Sequence, residues 1–324
     1  MKKYWKMGAA ALFALSLAAC GTSEESSKTD DTKTEASSSA SEEAKELTIN
    51  YLGTDYTFDA PVKNIVTASM ESMEDAVALG IKPVGVLEVG GEIPEYLQEG
   101  LEGAELIGNK MAPNNEKILS LDPDAIIGTD KWAEDVMSKM NKMATTLPYS
   151  HFSDKWKDNL NALATLSGTE DKAKEIIDQY ESDVADLKSE IQASDVKDKS
   201  VLMIRIRGGQ MFVYPESVYF NPILYTELGL KAPDVVTKAE AQAQISLETL
   251  SDVDPDYIFL EFDESENAEA KTALDDVQKD AVFKALTAAK ADHVFVNEIA
   301  PLAEGGTAWS KTRFLDVVEN TLLK

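Results

Sequence analysis

The stretch Glu116-Lys-Ile-Leu-Ser-Leu-Asp-Pro-Asp124, followed by Ala-Ile-Ile, occurs a second time in this chain as Glu248-Thr-Leu-Ser-Asp-Val-Asp-Pro-Asp256, followed by Tyr-Ile-Phe. In each copy a glutamate opens a short helical turn, Asp-Pro-Asp ends that turn, and the apolar run predicts a buried strand. The second copy begins 132 residues after the first, at Glu248 against Glu116. The repeat predicts two lobes built alike, each presenting a glutamate at an equivalent place.

Strand and helix signals alternate through the rest of the chain, which predicts α/β lobes of the Rossmann type. Strands are predicted at 47–52, 56–59, 64–68, 83–88, 125–128, 145–149, 200–207, 211–214, 257–262 and 293–297. Helices are predicted at 71–79, 133–143, 155–166, 222–228, 268–277 and 311–322. Gly80 is expected to cap the first of these helices, and Gly53 lies in the turn of a hairpin between the first two strands.

A long amphipathic pattern lies between the two halves. Apolar residues follow helical spacing from Glu170 to Gln192, which corresponds to about 35 Å of helix. We therefore predict an N-terminal lobe at 47–167, a connecting helix at 168–192 and a C-terminal lobe at 193–324. A stiff helical connection of this kind predicts only small lobe motion on binding. Periodicity alone also permits a long helix packed within one domain.

The N-terminal segment has the features of a secreted lipoprotein. A basic start, Met1–Lys6, precedes an apolar stretch, and Leu17-Ala-Ala-Cys20 has the form of a lipobox. This spacing resembles that of bacterial lipoproteins and implies a signal peptide at 1–19 and a lipid on Cys20. Cys20 is the only cysteine, so no intramolecular disulfide can form. The polar residues 20–46 predict a flexible tether, and the lipid is the one expected anchor to the cell membrane, on its extracellular face.

The strong negative charge of the chain restricts the classes of ligand that it can bind. The formal net charge is −27, and removal of a signal that carries Lys2, Lys3 and Lys6 lowers it by three. Nucleic acid is therefore excluded as a ligand. An anionic small molecule is not excluded, because at physiological salt charges farther than roughly 8 Å away are largely screened. The local sign of charge inside a cleft decides what binds there.

Four basic residues stand where a ligand could be bound. Arg205 and Arg207 are two apart in an apolar strand, so their side chains share one face while isoleucines face the other way. Lys110 and Lys131 lie near predicted strand ends, and open α/β sheets bind ligands at the carboxyl ends of their strands. Each of these residues also has an ordinary interpretation, since solvated strand edges and loops carry such charges without binding anything.

Together these features resemble the iron-siderophore substrate-binding lipoproteins of ABC transporters in Gram-positive bacteria, and most of all their bacillibactin-binding, ferric catecholate members in bacilli. The likeness rests on the lipobox, the repeated Asp-Pro-Asp phrase, the long helix, Arg205-Ile-Arg207 and the tail Gly305–Lys311, and it runs from Leu47 to the C-terminus. It implies the class III periplasmic binding fold, in which two lobes on a helical backbone clasp a ferric siderophore.

The resemblance also implies a set of ligand-binding residues. Catecholate members hold the ligand with a basic triad that matches Lys110, Lys131 and Arg207, with Arg205 beside it and Gln242 as an outer contact. A ferric tris-catecholate saturates Fe(III) with six oxygen donors and has a net charge of about −3. The protein then needs cations rather than metal ligands of its own, and no protein-bound metal or cofactor is expected.

The same resemblance implies a binding partner for the two repeated glutamates. One surface glutamate per lobe docks on the ABC permease in this family, and these places match Glu116 and Glu248. An alternative is a purely local role, since a glutamate in the first turn of a helix meets the positive end of the helix dipole, worth roughly 0.3 to 1 kcal/mol. The chain is expected to act as a monomer at the membrane.

Two positions depart from the bacillibactin-binding pattern, and they leave the ligand open. Gly208 stands where that pattern has a glutamine, and Glu240 stands where it has a lysine. The catecholate can therefore be bacillibactin, enterobactin, petrobactin or a simpler dihydroxybenzoyl ligand. The same fold could also serve a hydroxamate siderophore, haem or a cobalamin.

Signs of an enzyme are weak in this sequence. The chain has only two histidines, His151 and His293, and it lacks both a Gly-x-Ser-x-Gly elbow and a phosphate-binding glycine loop. So few histidines and a single cysteine also disfavour a direct zinc or manganese site. A surface-anchored hydrolase or adhesin stays as the alternative outside the binding proteins.

Overall fold

The computed structural model describes residues 45–324, so the predicted signal peptide, lipidated Cys20 and most of the tether lie outside the described residues. Its first half contains β1 (Lys45–Tyr51), β2 (Thr54–Ala60), β3 (Ile65–Thr67), α1 (Met70–Leu79), β4 (Gly85–Val86), β5 (Glu105–Leu106), β6 (Gly108–Asn109), β7 (Ala112–Pro113), α2 (Asn115–Ser120), β8 (Ala125–Thr129), α3 (Glu134–Met140), β9 (Thr146–Tyr149) and α4 (Trp156–Ser167).

A long helix, α5 (Glu170–Ala193), leads into the second half. There the elements are β10 (Val201–Arg207), β11 (Gln210–Val213), α6 (Asp234–Thr237), β12 (Ala243–Ile245), α7 (Leu247–Val253), β13 (Tyr257–Phe262), α8 (Ala273–Lys279), α9 (Ala281–Ala285), α10 (Thr287–Lys290), β14 (Val294–Val296) and α11 (Ala308–Leu322). Residues Pro222–Glu227, predicted as an α-helix, form a π-helix.

Each half contains one five-stranded sheet. The first sheet has the order β5-β4-β3-β8-β9 and is parallel throughout. The second has the order β12-β11-β10-β13-β14, with β10, β13 and β14 parallel and β11 antiparallel to both of its neighbours. Strands β8 and β13 occupy matching places beside β3 and β10. The predicted α/β fold with two similar sheets is confirmed.

The repeated Asp-Pro-Asp phrase has the same structural task in both halves. Asp124 Oδ2 accepts hydrogen bonds from the backbone N–H groups of Lys63 and Asn64, at 2.7 Å each. Asp256 Oδ2 accepts a hydrogen bond from Ser200 N at 2.8 Å. In each case the last aspartate of the phrase fixes the start of the neighbouring central strand, β3 or β10, and so aligns it with the strand that follows the phrase.

The long helix α5 spans 24 residues and packs against α4 and α11. Its buried positions are Ala173, Tyr180, Leu187 and Ile191, spaced seven, seven and four residues apart. They form a narrow stripe, which explains why most of this helix is polar. The last helix, α11, packs against α1 and α4 of the first half as well as against α5, so the end of the chain returns to the first half.

Two helix boundaries differ from the sequence prediction for identifiable reasons. Helix α11 begins at Ala308, three residues before the predicted start, because Thr307 provides an N-cap by accepting a hydrogen bond from Ser310 N at 3.0 Å. Helix α8 begins later than predicted, at Ala273. The buried side chain of Asn267 donates a hydrogen bond to Ile206 O at 2.9 Å. This contact fixes the segment before α8 in a conformation that does not continue the helix.

Candidate ligand-binding site

Strand β10 carries the two arginines on one face, as its alternation predicts. Ile204 and Ile206 are fully buried on the other face, Arg205 is buried, and Arg207 is partly exposed. Glu266 bridges both guanidinium groups. Arg205 Nε donates to Glu266 Oε2 at 2.9 Å, and Arg207 Nη2 lies 3.2 Å from Glu266 Oε1. One carboxylate therefore fixes the orientation of both arginines.

Gln242 reaches the same cluster from the loop before β12. Its Oε1 accepts a hydrogen bond from Arg207 Nη1 at 2.9 Å and a second from the Tyr214 hydroxyl at 3.4 Å. The ring centres of Tyr214 and Tyr219 are 5.0 Å apart, and Arg205 Cζ lies 5.3 Å from the Tyr219 ring centre. The arginines are thus bordered by two tyrosine rings, one of which packs against the Arg205 guanidinium.

Lys131 follows the carboxyl end of β8, at the edge where open parallel sheets bind ligands. Its Nζ lies 3.4 Å from Oε1 of Glu71, a buried residue in the first turn of α1. Burial disfavours the charge of Lys131, but the negative charges of Glu71 and Glu304 outweigh burial and raise the pKa of Lys131 above its usual value. Lys131 is therefore a fixed positive charge at neutral pH.

Lys110 lies at the tip of the tight hairpin between β6 and β7 and is exposed. The Asn109 side chain holds the tip by accepting hydrogen bonds from Met111 N at 3.0 Å and Ala112 N at 3.1 Å. At Gly108, where φ is +90°, a Cβ atom would come within 2.9 Å of the Ala112 carbonyl oxygen. Glycine and asparagine at these places make a compact turn that presents the lysine.

The structure brings the five predicted ligand-binding residues to one cavity of about 560 Å³. They are Lys110, Lys131, Arg205, Arg207 and Gln242. Both lysines come from the first half of the chain and both arginines from the second, so the convergence depends on the tertiary fold. A neighbouring cavity of about 280 Å³ shares Lys110 and both arginines and adds apolar side chains, among them those of Met70, Leu87 and Leu302.

Sequence reasoning missed the carboxylates of this site. Glu304 lines both cavities, Glu71 pairs with Lys131, and Glu266 pairs with both arginines. Glutamates are so numerous in this chain that no count could single these out. Only Glu304 had a signal, because it directly precedes the Gly305-Gly306 pair of the tail motif.

An aromatic side chain at the cavity was also missed. Phe152 lines the larger cavity with 43% of its surface exposed, and its ring centre lies 4.2 Å from that of His151. The His151 side chain is itself held by Asp130, since its Nδ1 lies 2.7 Å from Asp130 Oδ1. An exposed phenylalanine beside a ligand cavity provides an apolar face against which a flat ring can pack.

Glu304 stands on a segment that is fixed on two sides. Its backbone N–H donates to Oε1 of the buried Glu74 at 2.9 Å, which attaches it to α1. At the next residue, Gly305, φ is +74° and a Cβ atom would lie 2.4 Å from the carbonyl carbon of Tyr219. Only glycine permits so close an approach to the second half. The Glu304 carboxylate is consequently held among cations from both halves.

The surroundings of this site shift the pKa values of Glu304 and Glu71 in opposite directions. Burial works against the ionisation of Glu304, but the charges of Lys110, Lys131, Arg205 and Arg207 outweigh it and hold the pKa of Glu304 below its usual value. Burial, followed by the charge of Glu304, raises the pKa of Glu71, although Lys131 opposes the rise. Glu304 is therefore the stronger acid of this pair, and Glu71 is the weaker one.

The two glutamates of the repeated phrase are exposed and lie at matching places. Each is the second residue of its helix, Glu116 in α2 and Glu248 in α7. Helix α2 starts beside the carboxyl end of β5, since Asn114 N donates to Ile107 O at 2.7 Å. Helix α7 directly follows Ile245, at the carboxyl end of β12. Both glutamates therefore project from the strand-end edge of a sheet, the edge at which the cations lie.

Two similar sheets, a long helix and a cavity lined by cations from both halves define a binding protein of two lobes. The chain belongs to the periplasmic binding protein family, whose model matches residues 65–298. It is thus a binding protein rather than an enzyme. None of the helices within residues 45–324 combines the length and apolarity that a bilayer crossing requires. In the same described residues, no cluster of three or more His, Cys, Asp or Glu side chains is arranged to hold a metal ion.

Individual relatives belong to iron uptake. The iron-uptake system-binding protein of Bacillus subtilis (strain 168) is 46% identical to this chain over 96% of each sequence. The probable siderophore-binding lipoprotein YfiY of the same organism is 31% identical and covers 100% of this chain and 99% of its own. The crystal structure of FeuA, the triscatecholate siderophore-binding protein of Bacillus subtilis complexed with ferri-bacillibactin, has a TM-score of 0.82 and 46% identity, covering 86% of this chain and 98% of that chain. The family expected from the sequence is confirmed.

Proposed function

We propose that this protein captures a ferric catecholate siderophore outside the cell and delivers it to the permease of an ABC importer. The observation that carries this proposal is the convergence of Lys110, Lys131, Arg205 and Arg207, from both halves of the chain, on one cavity. The 46% identity to FeuA, crystallised with ferri-bacillibactin, supports the same ligand class. Iron reaches the site already coordinated, so the protein supplies charge and shape rather than metal ligands.

The magnitude of the electrostatic term favours a multiply charged ligand. At about 5 Å and an effective dielectric constant of about 20, one cation attracts one unit of opposite charge by roughly 3 kcal/mol before desolvation is subtracted. A ferric tris-catecholate with a charge of about −3 gains this term from several cations at once. A ferrioxamine-type hydroxamate complex, which lacks this negative charge, gains almost none of it. Arginine forks and the flanking tyrosine rings suit catecholate oxygens and rings.

A titration of tryptophan fluorescence tests the ligand class. Trp132 directly follows Lys131, which lines the cavity, so we expect a bound ferric complex to quench its emission. We expect saturable quenching by ferric bacillibactin or ferric enterobactin at far lower concentration than by ferrioxamine. Tighter binding of ferrioxamine, of haem or of a cobalamin than of both ferric catecholates would assign the site to that other ligand class.

We further propose that Glu116 and Glu248 contact the permease, one from each half. Their exposure and their equivalent positions at the two strand-end edges support this role. The double variant Glu116→Ala/Glu248→Ala is expected to bind the ferric siderophore with unchanged affinity and to fail in cellular uptake. Weakened binding by the purified double variant would instead indicate a structural role for these helix starts.

The N-terminal sequence supports a location on the outer face of the cell membrane, where a lipid on Cys20 holds the protein. We further propose that the protein acts there as a monomer. The names of relatives such as the siderophore-binding lipoprotein YfiY agree with this proposal. Replacement of Cys20 by serine is expected to release the protein into the medium. Membrane retention of that variant in full would contradict the lipid anchor.

A further inference from the structure

The basic cluster already contains negative charges of its own, and a trianionic ligand must enter beside them. We infer that Glu71 and Glu304 form a proton-accepting pair, which takes up a proton from solvent when a multiply charged anion engages the basic cluster. This inference rests on the proposed function, because it concerns how the same site accepts that ligand. It makes binding weaken as the pH rises.

Geometry places Glu304 in competition with the ligand. Glu304 lines both cavities together with Lys110, Arg205 and Arg207. Its segment cannot swing away, because the backbone is tied to Glu74 at 2.9 Å and Gly305 is packed against Tyr219. An incoming anion therefore meets a carboxylate that remains at the cations the ligand needs.

Glu71 competes with the ligand in the same way, because both need Lys131 as a partner. The 3.4 Å contact to Lys131 Nζ is the single hydrogen bond of the buried Glu71 side chain among the described residues. When Lys131 turns to a bound anion, the buried Glu71 carboxylate loses its counter-ion. A carboxylate in that position becomes a stronger base, and protonation removes the unpaired charge.

The charged and titratable groups around the pair come from both halves of the chain. They are Glu74 and Asp75 on α1, Glu88 after β4, Tyr96 before β5, Lys110 on the β6–β7 hairpin, Asp130 and Lys131 after β8, His151 after β9, Arg205 and Arg207 on β10, Tyr214 and Tyr219 after β11, Glu240 before β12, and Glu266 before α8. The cations hold the pKa of Glu304 low in the free site, after overcoming the effect of burial. A bound trianion cancels that influence, so the pair binds a proton more strongly in the complex.

The sign of the pH dependence follows from linkage. A complex that holds more protons than its free components is favoured by low pH. For uptake of one proton, affinity falls by about tenfold per pH unit between the pKa of the pair in the free protein and that in the complex. An uncharged ferric complex leaves the pair unperturbed and binds without this pH dependence. The pair thus favours ligands of high negative charge. Such a ligand binds the cations and also raises the affinity of the two carboxylates for a proton.

Isothermal titration calorimetry in phosphate and in Tris at equal pH measures proton uptake directly, because the two buffers have different ionisation enthalpies. With ferric enterobactin at pH 7.5, we expect the native protein to take up between about half a proton and one proton. Glu304→Gln, which keeps the backbone contact to Glu74, is expected to take up clearly less and to bind more tightly at pH 8.5. Glu71→Gln/Glu304→Gln is expected to take up none.

Glu134→Gln is the control, since Glu134 is an exposed glutamate at the start of α3 that lines neither cavity. Its proton uptake should equal that of the native protein. Tight binding of ferric enterobactin without proton uptake, or unchanged uptake in Glu304→Gln, would overturn the inference while leaving the proposed function intact. Absence of binding would contradict the proposed function itself. If the buried change at Glu71 prevents folding, Glu304→Gln alone decides.

Discussion

At the residue scale, Glu261 has an environment that makes its ionisation costly. It lies on β13 beside Arg205 on β10, it is fully buried, and neither of its carboxylate oxygens has a hydrogen-bond partner within the described structure. Burial raises the pKa of Glu261 to about 8, although Arg205 opposes the rise. The side chain is therefore largely protonated at neutral pH.

Glu261→Gln tests this protonation through the free energy of unfolding. In the native protein the folded state binds the proton more strongly than the unfolded state, so this stabilisation is complete below the unfolded pKa near 4.5 and is lost as the pH rises through about 8. Between those values the native protein should lose stability relative to the variant by up to about 1.4 kcal/mol per pH unit. Urea unfolding at pH 5, 6.5 and 8 measures the difference. A difference that stays constant with pH would contradict the assignment.

The packing of the Trp132 ring requires a glycine at position 128 in β8. A Cβ atom there would come within 2.2 Å of the Trp132 ring, next to Lys131. Gly128→Ala should therefore cost about 1 to 3 kcal/mol of stability and weaken ligand binding, because Trp132 must move. Adding Trp132→Leu makes room and should restore most of the stability, since the indole N–H has no partner to lose among the described residues. Thermal melts check both variants, and a Gly128→Ala protein as stable as the native one would refute this packing argument.

At the scale of elements, sequence reasoning succeeded where a local cause decides the structure. The β1–β2 hairpin forms around Leu52 and Gly53, both with positive φ, and Gly80 ends α1 in the left-handed conformation, as expected. Strand β13 begins and ends where its apolar run does. Sequence reasoning failed where contacts between distant residues decide, as in the late start of α8 after Asn267. It also missed the π-helix at Pro222–Glu227 and the Thr307 N-cap that starts α11 early.

The residues of the candidate site divide in the same way, into those with a local sequence signal and those that only the folded chain reveals. The arginines were found because a charge in an apolar strand is unusual, whereas Glu266 is 61 residues from Arg205 and pairs with it only in the folded chain. The lysines were noted for their positions near predicted strand ends and were assigned to the ligand by the family resemblance, whereas Gln242 came from that resemblance alone. Glu71 looked like an ordinary residue of a helix start, and only its burial distinguishes it.

Helix α11 is held by a buried lysine between the halves. Lys311 is completely buried, its Nζ lies 2.8 Å from Glu227 Oε1, and it lies 5.7 Å from the Trp156 ring centre and 5.2 Å from that of Tyr180. Lys311→Ala leaves a cavity and an unpaired carboxylate and should cost about 3 kcal/mol or more. Lys311→Met leaves the same unpaired carboxylate but keeps the volume, so it should cost less than Lys311→Ala by the cavity contribution. Urea unfolding compares the two, and equal losses would show that charge rather than packing decides.

At the scale of the whole molecule, the helical connection limits how far the halves can move. Helix α5 packs along both α4 and α11, and α11 in turn packs on α1, so the two halves share more than a single hinge. We expect ligand binding to change the radius of gyration in small-angle X-ray scattering by less than about 1 Å. A contraction of several ångströms would mean that the α1–α11 contact opens in the free protein.

The central claim is that cations from both halves hold a multiply charged ferric complex in one site. Titration of Lys110→Ala, Lys131→Ala and Arg207→Ala with ferric bacillibactin tests it most directly, with Lys139→Ala as control, because Lys139 is an exposed lysine paired with Asp135 outside the cavity. Each of the three variants is expected to bind about tenfold or more weakly, and the control is expected to bind like the native protein. Native affinity in all three cavity variants would contradict the account.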